Sequence, residues 1–396
     1  MNGVGEAAKA AARDAYGRLL AFLSRRTGDI AAAEDALSEA FVAALSSWPR
    51  DGVPQEPAAW LASAAARKLI DAHRGRKREA AVLEELASRS TPAETADDRL
   101  PMMLALTHEA VAPEARSPLM LQCVLGLSVE QIAGLLLLPA GTLGRRLSRA
   151  KRKIRDAGVP ITVPGDEVLV GRLPAVLDAV YGAFTAGWDR GTDAEAVATA
   201  AEAIQLGETV CRVLPDDAEA WGLLALMRYA HARRAARRDA AGRFVPLEGQ
   251  DPAAWDGALT DAADGALRRA ASLRRPGPYQ TRAAIQSVHA DRRRTGTTRW
   301  DVILSLYETL AAADRSAGAA VGRAATLVRM GRNAEAVAAL DALEPDAVRG
   351  HQPYWAVRAE ALRGLDGGAA REAAERAVGL TADPGVRAYL AGRFAS

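Results

Sequence analysis

Seven basic residues fall within eleven positions near the middle of the chain, and they alternate with apolar residues. In "GTLGRRLSRAKRKIR" the side chains of Leu143, Leu147, Ala150 and Ile154 recur every three or four positions, which predicts one inward face of a helix. The positions between them supply a basic outer face suited to phosphate binding. Its members are Arg145, Arg146, Arg149, Lys151, Arg152, Lys153 and Arg155.

The residues just before this stretch predict the first half of a helix-turn-helix. Ser128 is a suitable N-cap, and Gln131 three residues later completes a capping box before a short apolar helix. "LLPA" then forms the corner. In such a motif the second helix lies in the major groove, so Thr142 and Arg145 would reach base edges. The later cations Arg146, Arg149, Lys151 and Lys153 would bind phosphates. A solvated cationic helix without a ligand explains the charge alone, but not the cap and the corner.

Composition predicts an all-α protein of two to three domains. The chain has 396 residues, is 49% hydrophobic and 25% charged, and carries a formal net charge of only +2. Alanine and arginine are abundant, while β-branched and aromatic residues are sparse, which favours helix. Cys123 and Cys211 form no metal-binding or disulfide pattern, and the N-terminus has no signal-peptide run. We therefore expect a cytoplasmic protein with no membrane association, no cofactor, no metal and no catalytic residue.

A second candidate region lies near the N-terminus. "AAAEDALSEAFVAALSSW" places six apolar residues on one helical stripe, namely Ala36, Leu37, Ala40, Phe41, Ala44 and Leu45. The helix is expected to end before "PRDGVPQEP", whose three prolines and one glycine predict a rigid loop. Another helix, opening near Pro57, becomes basic toward its C-terminal end.

The last 230 or so residues predict helical hairpins. "AVGRAATLVRMGRNAEAVAALDAL" aligns with "WAVRAEALRGLDGGAAREAAERAVGL" at an offset of about 35 residues. This offset pairs Arg323 with Arg358, Leu327 with Leu362 and Ala338 with Ala373. The period predicts a tetratricopeptide-like solenoid. "RRAARR", Arg233 to Arg238, is interpreted as a salt-bridged or exposed helical face, with a second nucleic-acid patch as the alternative.

Together these stretches resemble the extracytoplasmic-function group of sigma-70 factors. "GLSVEQIAGLLLLPAGTLGRRLSRAKRKIR" resembles region 4, which reads the −35 promoter element, and "GDIAAAEDALSEAFVAAL" resembles region 2.2. "PAAWLASAAARKLIDAHRGRKRE" resembles regions 2.3 and 2.4. The C-terminal stretches "LPDDAEAWGLLALM" and "PGPYQTRAAIQSVHA" are similar to a subgroup with a tetratricopeptide-like extension.

The resemblance implies a role for each region. Asp35, Glu39 and Phe41 would bind the clamp helices of the RNA polymerase core, although Phe41 is also a candidate core residue. Region 4 would contact the polymerase flap and the −35 element. The −10 element would meet Arg50, Asp51, Arg67, Lys68, His73 and Arg74.

The chain also departs from the family pattern. Ala66 stands where region 2.4 usually has arginine, Ser38 replaces a usual glutamine, and "ALTHEAV" retains only His108 of a Cys-Cys-His-Pro segment. Pro118 interrupts a helix that is continuous in the family. We expect the helix to restart there, with Ser117 as N-cap and Pro118 at its first position.

These observations predict four segments: region 2 at residues 10–80, an acidic flexible linker at 81–99, region 4 at 100–160 and a regulatory helical domain at 168–396. The expected partners are polymerase core, promoter DNA and a protein or ligand bound to the solenoid. The main alternative is a stand-alone helix-turn-helix regulator with a tetratricopeptide-like sensor. An enzyme with a DNA-binding tail is disfavoured, because no phosphate-cradling loop, nucleophile elbow or metal cluster is present.

Overall fold

The computed structural model describes residues 2–72, 97–136, 138–189, 194–314 and 316–394. The secondary-structure elements in these ranges are all helices, and no β-strand is present in them. The all-α prediction is therefore confirmed. The chain divides into two compact units. Unit 1 comprises residues 1–186 with 201–209, and unit 2 comprises residues 187–200 with 210–396.

Unit 1 opens with three helices packed on one another: α1 (Asn2–Thr27), α2 (Ile30–Asp51) and α3 (Pro57–Ala72). The side chain of Asp29 caps α2 by accepting hydrogen bonds from the backbone N–H groups of Ala31 and Ala32 at 3.0 and 3.1 Å. The core between the helices is aliphatic and includes Leu19, Leu20, Leu23, Ile30, Leu37, Leu61 and Leu69.

The expected end of α2 before Pro49 is wrong. The helix continues through Pro49 to Asp51 and ends at Gly52, whose φ of 85° suits glycine and whose N–H donates to the Trp48 carbonyl at 3.0 Å. Proline removes a single backbone hydrogen bond this close to the helix end, and Trp48 is buried in the preceding turn. Arg50 and Asp51 therefore lie in the last helical turn instead of the predicted loop.

Four helices follow: α4 (Arg99–Leu106), α5 (Pro113–Leu125), α6 (Val129–Leu136) and α7 (Ala140–Asp156). The capping box before α6 is confirmed. The Gln131 N–H donates to the Ser128 hydroxyl at 3.2 Å, and the Ser128 N–H donates to the Gln131 side chain at 2.8 Å.

The predicted restart at Pro118 is also wrong. Helix α5 already begins with Pro113 at its first position and runs through Pro118 to Leu125. The missing N–H of Pro118 leaves the Glu114 carbonyl without its usual helical donor. Burial of Pro118 among the apolar residues of α5 offsets that loss, because the helix keeps its inward face on both sides of the proline.

Helices α8 (Asp166–Asp189) and α9 (Ala194–Val213) belong partly to each unit. Residues 166–188 of α8 are long and apolar enough to cross a membrane by length and composition, but 44% of the most apolar stretch is buried inside the protein. A core helix passes the same test, and Leu173, Val176 and Val180 fill the interior.

Unit 2 continues as helices joined by short turns. They are α10 (Ala218–Ala232), α11 (Gly257–Ser272), α12 (Pro278–Ala290), α13 (Arg292–Thr295), α14 (Trp300–Ala313), α15 (Ala317–Arg329), α16 (Asn333–Asp341), α17 (Pro345–Val348), α18 (Gln352–Leu362), α19 (Gly367–Gly379) and α20 (Pro384–Phe394). An isolated bridge joins Arg238 to Phe244 in the irregular segment after α10.

Helices α15/α16 and α18/α19 form two successive hairpins, turned at Gly331 and Gly364 with φ of 74° and 85°. The predicted offset of 35 holds in the first helix of each hairpin, where Leu327 and Leu362 are both buried. It fails after the turn.

Ala338 is exposed whereas Ala373 is buried, so the pairing of these two residues is wrong. The buried equivalent of Ala373 is Ala336, 37 residues earlier. The turn has three residues (330–332) in the first hairpin and four (363–366) in the second, so the register of the buried positions changes across the turn.

Helices α10 and α12 lie against each other where two of the quoted stretches meet. The Glu219 carboxylate accepts hydrogen bonds from the N–H groups of Tyr279 and Gln280 at 2.9 and 3.0 Å, and so caps α12. A Cβ at Gly277 would overlap the Glu219 side chain, and a Cβ at Gly222 would lie 2.6 Å from the Gln280 nitrogen. Only glycine fits both positions.

Candidate nucleic-acid and polymerase interface

Helix α7 has the two faces that its sequence predicts. Leu143, Leu147, Ala150 and Ile154 are buried against the other helices of unit 1. The helix begins at Ala140, directly after Pro139, so the predicted corner is present. A Cβ at Gly144 would lie 3.7 Å from Val129 of α6, which shows how closely the two helices of the motif approach.

The first turns of α7 bring together the residues expected to read base edges. Arg145 donates from Nη2 to the Thr142 hydroxyl at 3.5 Å, and Arg149 donates from Nε to the Arg145 carbonyl at 3.3 Å. Arg145 and Arg149 are exposed and Arg146 is half-buried. Further along, Arg152 and Lys153 are exposed and form no ion pair with any described residue. This surface is a continuous basic face open to solvent.

Lys151 does not belong to that exposed face. Its side chain is 7% exposed, and its ammonium pairs with the Glu34 carboxylate of α2. Position 151 follows Leu147 by four residues and precedes Ile154 by three, so it lies on the inward stripe. In this conformation its predicted phosphate contact is unavailable, because the ammonium is held inside unit 1.

The outer face of α2 contains the predicted polymerase-binding acids. Asp35 and Glu39 are both exposed, and the same face continues with Val42 and Leu45, which are 67% and 55% exposed. The placement of Leu45 on the buried stripe is therefore wrong. Val42 was not predicted as a site residue, although its spacing of three from Glu39 and seven from Asp35 could have identified it.

Phe41 is partly buried. Its ring stacks on that of Tyr16 in α1, with centroids 6.5 Å apart and an interplanar angle of 17°. The side chain packs within the module and also keeps an accessible edge. Its contact with polymerase stays a prediction.

The described part of the −10 candidate surface lies on α2 and α3. Arg67 and Lys68 are exposed on α3, and Arg50 and Asp51 are exposed in the last turn of α2. The Lys68 ammonium lies 3.0 Å from the Glu39 carboxylate, and both side chains are about half exposed, so the pair adds little stability and can be broken readily. His73 and Arg74 lie outside the described residues.

The second arginine run has a different environment. Arg233 to Arg238 follow the end of α10 and include only a three-residue 3-10 helix, Ala235–Arg237, so the predicted α-helical face is absent, whereas the predicted salt bridge is present at Arg238. Arg233 donates to Gln286 at 2.7 Å, Arg237 donates to the Trp188 carbonyl at 2.6 Å, and Arg238 pairs with Asp383. These guanidinium groups are engaged within unit 2.

The described residues contain no group of three or more His, Cys, Asp or Glu side chains arranged to hold a metal ion. Cys123 and Cys211 are buried and form no disulfide bond among the described residues. The features that stand out are thus the capped helix-turn-helix with its basic face and the acidic-apolar face of α2.

A helix-turn-helix with an exposed basic helix face, joined to a second helical module, is typical of a DNA-binding transcription factor. Residues 12–79 match the model of sigma-70 region 2, and residues 102–154 match sigma-70 region 4. These two domains support a sigma-70 family sigma factor, and factors of that family are transcription initiation factors and not enzymes. The two domains imply interaction with RNA polymerase core and promoter DNA.

Residues 172–271 match a family of unknown function, DUF6596. The chain is also similar to a protein of Rhizobium meliloti (strain 1021) described as uncharacterized. The two are 34% identical over 375 residues, which cover 90% of this chain and 88% of that protein. No solved structure gives a significant match.

Proposed function

We propose that this chain is a bacterial, cytoplasmic sigma factor of the extracytoplasmic-function group, whose tetratricopeptide-like C-terminal domain sets its activity. The observation that carries the proposal is the construction of α7, which is apolar inside, basic outside and preceded by a capped partner helix. The region 2 match supports a sigma factor over a stand-alone regulator, which would not need a polymerase-binding module.

In this proposal α2 binds the clamp helices of the polymerase core. Asp35 and Glu39 provide charge, and Val42 and Leu45 provide exposed apolar area beside them. A polar rim around an apolar centre is the usual composition of a protein interface. Phe41 is partly buried beside this surface, and the stacking of its ring on Tyr16 fixes its position.

DNA contacts are divided between the two modules. Thr142 and Arg145 read the −35 element, with Arg146, Arg149 and Lys153 on phosphates; Lys151 joins them only when its pair with Glu34 opens. Arg50, Asp51, Arg67 and Lys68 line the −10 side, to which His73 and Arg74 are also assigned. A basic surface beside a helix end suits a strand that must be unpaired and held.

The proposed role of the C-terminal domain is supported by contacts inside unit 1. Arg99, the first residue of α4, pairs with Glu202 of α9 at 3.3 Å, and Thr209 of α9 donates to Asp97 at 3.2 Å. The segment after region 4 is therefore built into the body that holds the sigma modules. Removing residues 170–396, which includes the α9 contacts, should change transcription strongly in either direction; an unchanged transcript level would contradict regulation by this domain.

The test is run-off transcription from a genomic promoter library with purified bacterial core polymerase. Discrete new start sites are expected with the protein present. The Val42→Asp variant should lower core affinity at least about tenfold, because it puts a charge into the apolar part of the interface. Val170→Asp is the matched control, since Val170 is 74% exposed on α8 and outside the proposed interface.

Two results would contradict the proposal. Absence of transcription together with sequence-specific DNA binding by the free protein would favour the stand-alone regulator. If Val42→Asp and the control Val170→Asp lose core binding equally, the outer face of α2 is not the polymerase-binding surface.

A further inference from the structure

A surface cavity of unit 2 lies where four helices meet. It has a volume of about 420 Å³ and is lined by residues of α10, α11, α12 and α14. A smaller cavity of about 290 Å³ adjoins it and shares Asp264, Ser287 and Asp291 with it. Small-molecule sites usually have volumes of roughly 300–1,000 Å³. The larger cavity, which we call the α11 cavity, is therefore big enough for a small ligand.

One face of α11 forms a wall of the α11 cavity. Asp264, Leu267, Arg268 and Ala271 all line it, at positions spaced by three and four residues. The core-facing side of the same helix is different, because it consists mainly of alanine. The helix thus turns a carboxylate, a guanidinium group and a leucine toward one cavity.

The two charges on this wall do not neutralise each other. Asp264 and Arg268 are four residues apart, a spacing at which aspartate and arginine can pair across one helical turn. The Asp264 carboxylate instead accepts a hydrogen bond from the Tyr229 hydroxyl of α10. Burial and this hydrogen bond raise the pKa of the Tyr229 hydroxyl, so it stays protonated and can donate. Arg268 forms no hydrogen bond or ion pair with any described residue.

The remaining polar residues give the α11 cavity two ends of opposite charge. Asp264 and Ser287 also line the smaller cavity, so they lie at the junction of the two. Arg268 and Arg299 line only the larger cavity, away from that junction. The Arg299 guanidinium lies 3.8 Å from the Asp301 carboxylate, but both side chains are about two-thirds exposed, so this pair holds Arg299 weakly.

Apolar side chains complete the lining. Leu267, Val288 and Val302 are each half-buried and come from three different helices. They offer a ligand apolar area to bury beside the charged groups. Asp291, at the junction, already pairs with Arg294 at 2.9 Å, so Asp264 is the carboxylate available to a cationic group.

We propose that the α11 cavity binds a small zwitterion with an apolar body, of the size of an apolar amino acid or a dipeptide. Asp264 binds its ammonium group, Arg268 binds its carboxylate, and Leu267 and Val302 contact its apolar part. Phosphate would meet the Asp264 carboxylate and a divalent cation would meet Arg268, so a ligand of one charge leaves the other end uncompensated. The inference concerns unit 2 alone and does not rest on the proposed sigma function.

NMR titration of the full-length protein tests the class of ligand. L-leucine and the dipeptide leucyl-leucine are the probes, and at least one should bind with a Kd of about 1 mM or tighter. Tighter binding of leucine would identify a free amino acid as the ligand, and tighter binding of the dipeptide would identify a short peptide. The N-acetyl form of the tighter probe lacks the ammonium group and its amide form lacks the carboxylate. Each should bind at least about tenfold more weakly, because a charged group of the cavity loses its partner.

Two substitutions assign the ends of the cavity. Asp264→Asn removes the charge but keeps an oxygen that can accept from Tyr229, and Arg268→Gln removes the exposed cation. Asp264→Asn should weaken binding of the tighter probe at least about tenfold and leave its N-acetyl form unaffected. Arg268→Gln should weaken the probe to a similar degree and leave its amide form unaffected. The matched controls Asp346→Asn and Arg349→Gln change an exposed ion pair elsewhere in unit 2 and should have no effect.

The inference is overturned if neither probe binds the wild-type protein, or if blocking either charged end leaves the affinity unchanged. It is also overturned if the two cavity variants bind like the controls, because the probe then lies elsewhere. If Asp264→Asn does not fold by circular dichroism, the blocked probes on wild-type protein and the exposed change Arg268→Gln decide. Binding needs no polymerase, so zwitterion binding without run-off transcription would contradict the proposed function alone, and the reverse result would contradict this inference alone.

Discussion

Two arginine-rich runs of this chain look alike in sequence and differ completely in the structure. The run from Arg145 to Arg155 lies on α7 and directs most of its cations to solvent. The run from Arg233 to Arg238 begins after α10 ends, and its guanidinium groups bond to carbonyl oxygens, Gln286 and Asp383. Both runs are rich in positive charge, so charge density alone does not predict which of them is exposed to solvent.

The difference lies in what stands between the arginines. In α7 they alternate with leucine and isoleucine at helical spacing, so burial of one face forces the other outward. In the second run the intervening residues are Ala235 and Ala236, too small to anchor a helix face. Lys151 shows the same rule inside α7, since its register places it with the leucines.

The largest effect is expected from the exposed run. The double variant Arg145→Ala with Arg149→Ala should lower −35-dependent run-off transcription at least about tenfold, because a base-edge contact is worth about 1–3 kcal/mol and a phosphate contact adds to it. Arg275→Ala, an exposed arginine of unit 2, is the control. The Arg145→Ala single variant should relax preference at one −35 position; equal weakening on all sequences would recast Arg145 as a phosphate contact.

The second prediction concerns the run from Arg233 to Arg238. Because His289 lies close to Arg233, its protonation should make the stability of unit 2 depend on pH. Burial first, and then Arg233 and Arg292, lower the pKa of His289 to about 4. The unfolded chain takes up this proton near pH 6.5 and the folded protein does not, so unit 2 loses stability as the pH falls from about 6.5 to about 4.

At pH 4.5 this loss should amount to about 2 kcal/mol in the free energy of unfolding. Urea denaturation at pH 7 and 4.5 would measure it, and His289→Phe, which keeps a ring against Trp300, should reduce the difference between the two pH values. Identical pH dependence in both proteins would show that His289 is not the group responsible.

A smaller effect is expected from Arg237→Ala. The Arg237 guanidinium lies 4.4 Å from the Trp188 ring centroid and donates to the Trp188 carbonyl at 2.6 Å. Its loss should lower the free energy of unfolding by about 1–2 kcal/mol and leave promoter selectivity unchanged. Altered promoter selectivity at unchanged stability would mean that this run does contact nucleic acid.

Local features of the fold were predictable from the sequence. The Ser128–Gln131 capping box, the corner before α7 and its inward leucines follow from side-chain spacing alone, and the structure confirms each of them. The exposure of Asp35 and Glu39 agrees with the same spacing, but their assignment to polymerase binding came from the family resemblance. These features depend on residues within one or two helical turns of each other.

The failures share a non-local cause. Pro49 and Pro118 should end helices by local rules, but burial of their neighbours outweighs one lost hydrogen bond. Lys151 was assigned to DNA although its register places it with the inward leucines; what spacing cannot identify is its partner, Glu34, which is 117 residues away. Tertiary packing decided these positions, and local rules of helix formation do not predict it.

The capping of α12 by Glu219 has a consequence for how this chain can diverge. Two stretches about 60 residues apart share one joint, in which the carboxylate of one and the glycines of both must be present together. A chimera that exchanged only one stretch with a distant relative would create either an uncapped helix or a steric overlap. We expect the two stretches to be inherited as a single block, so that Glu219, Gly222 and Gly277 change together among homologues or not at all.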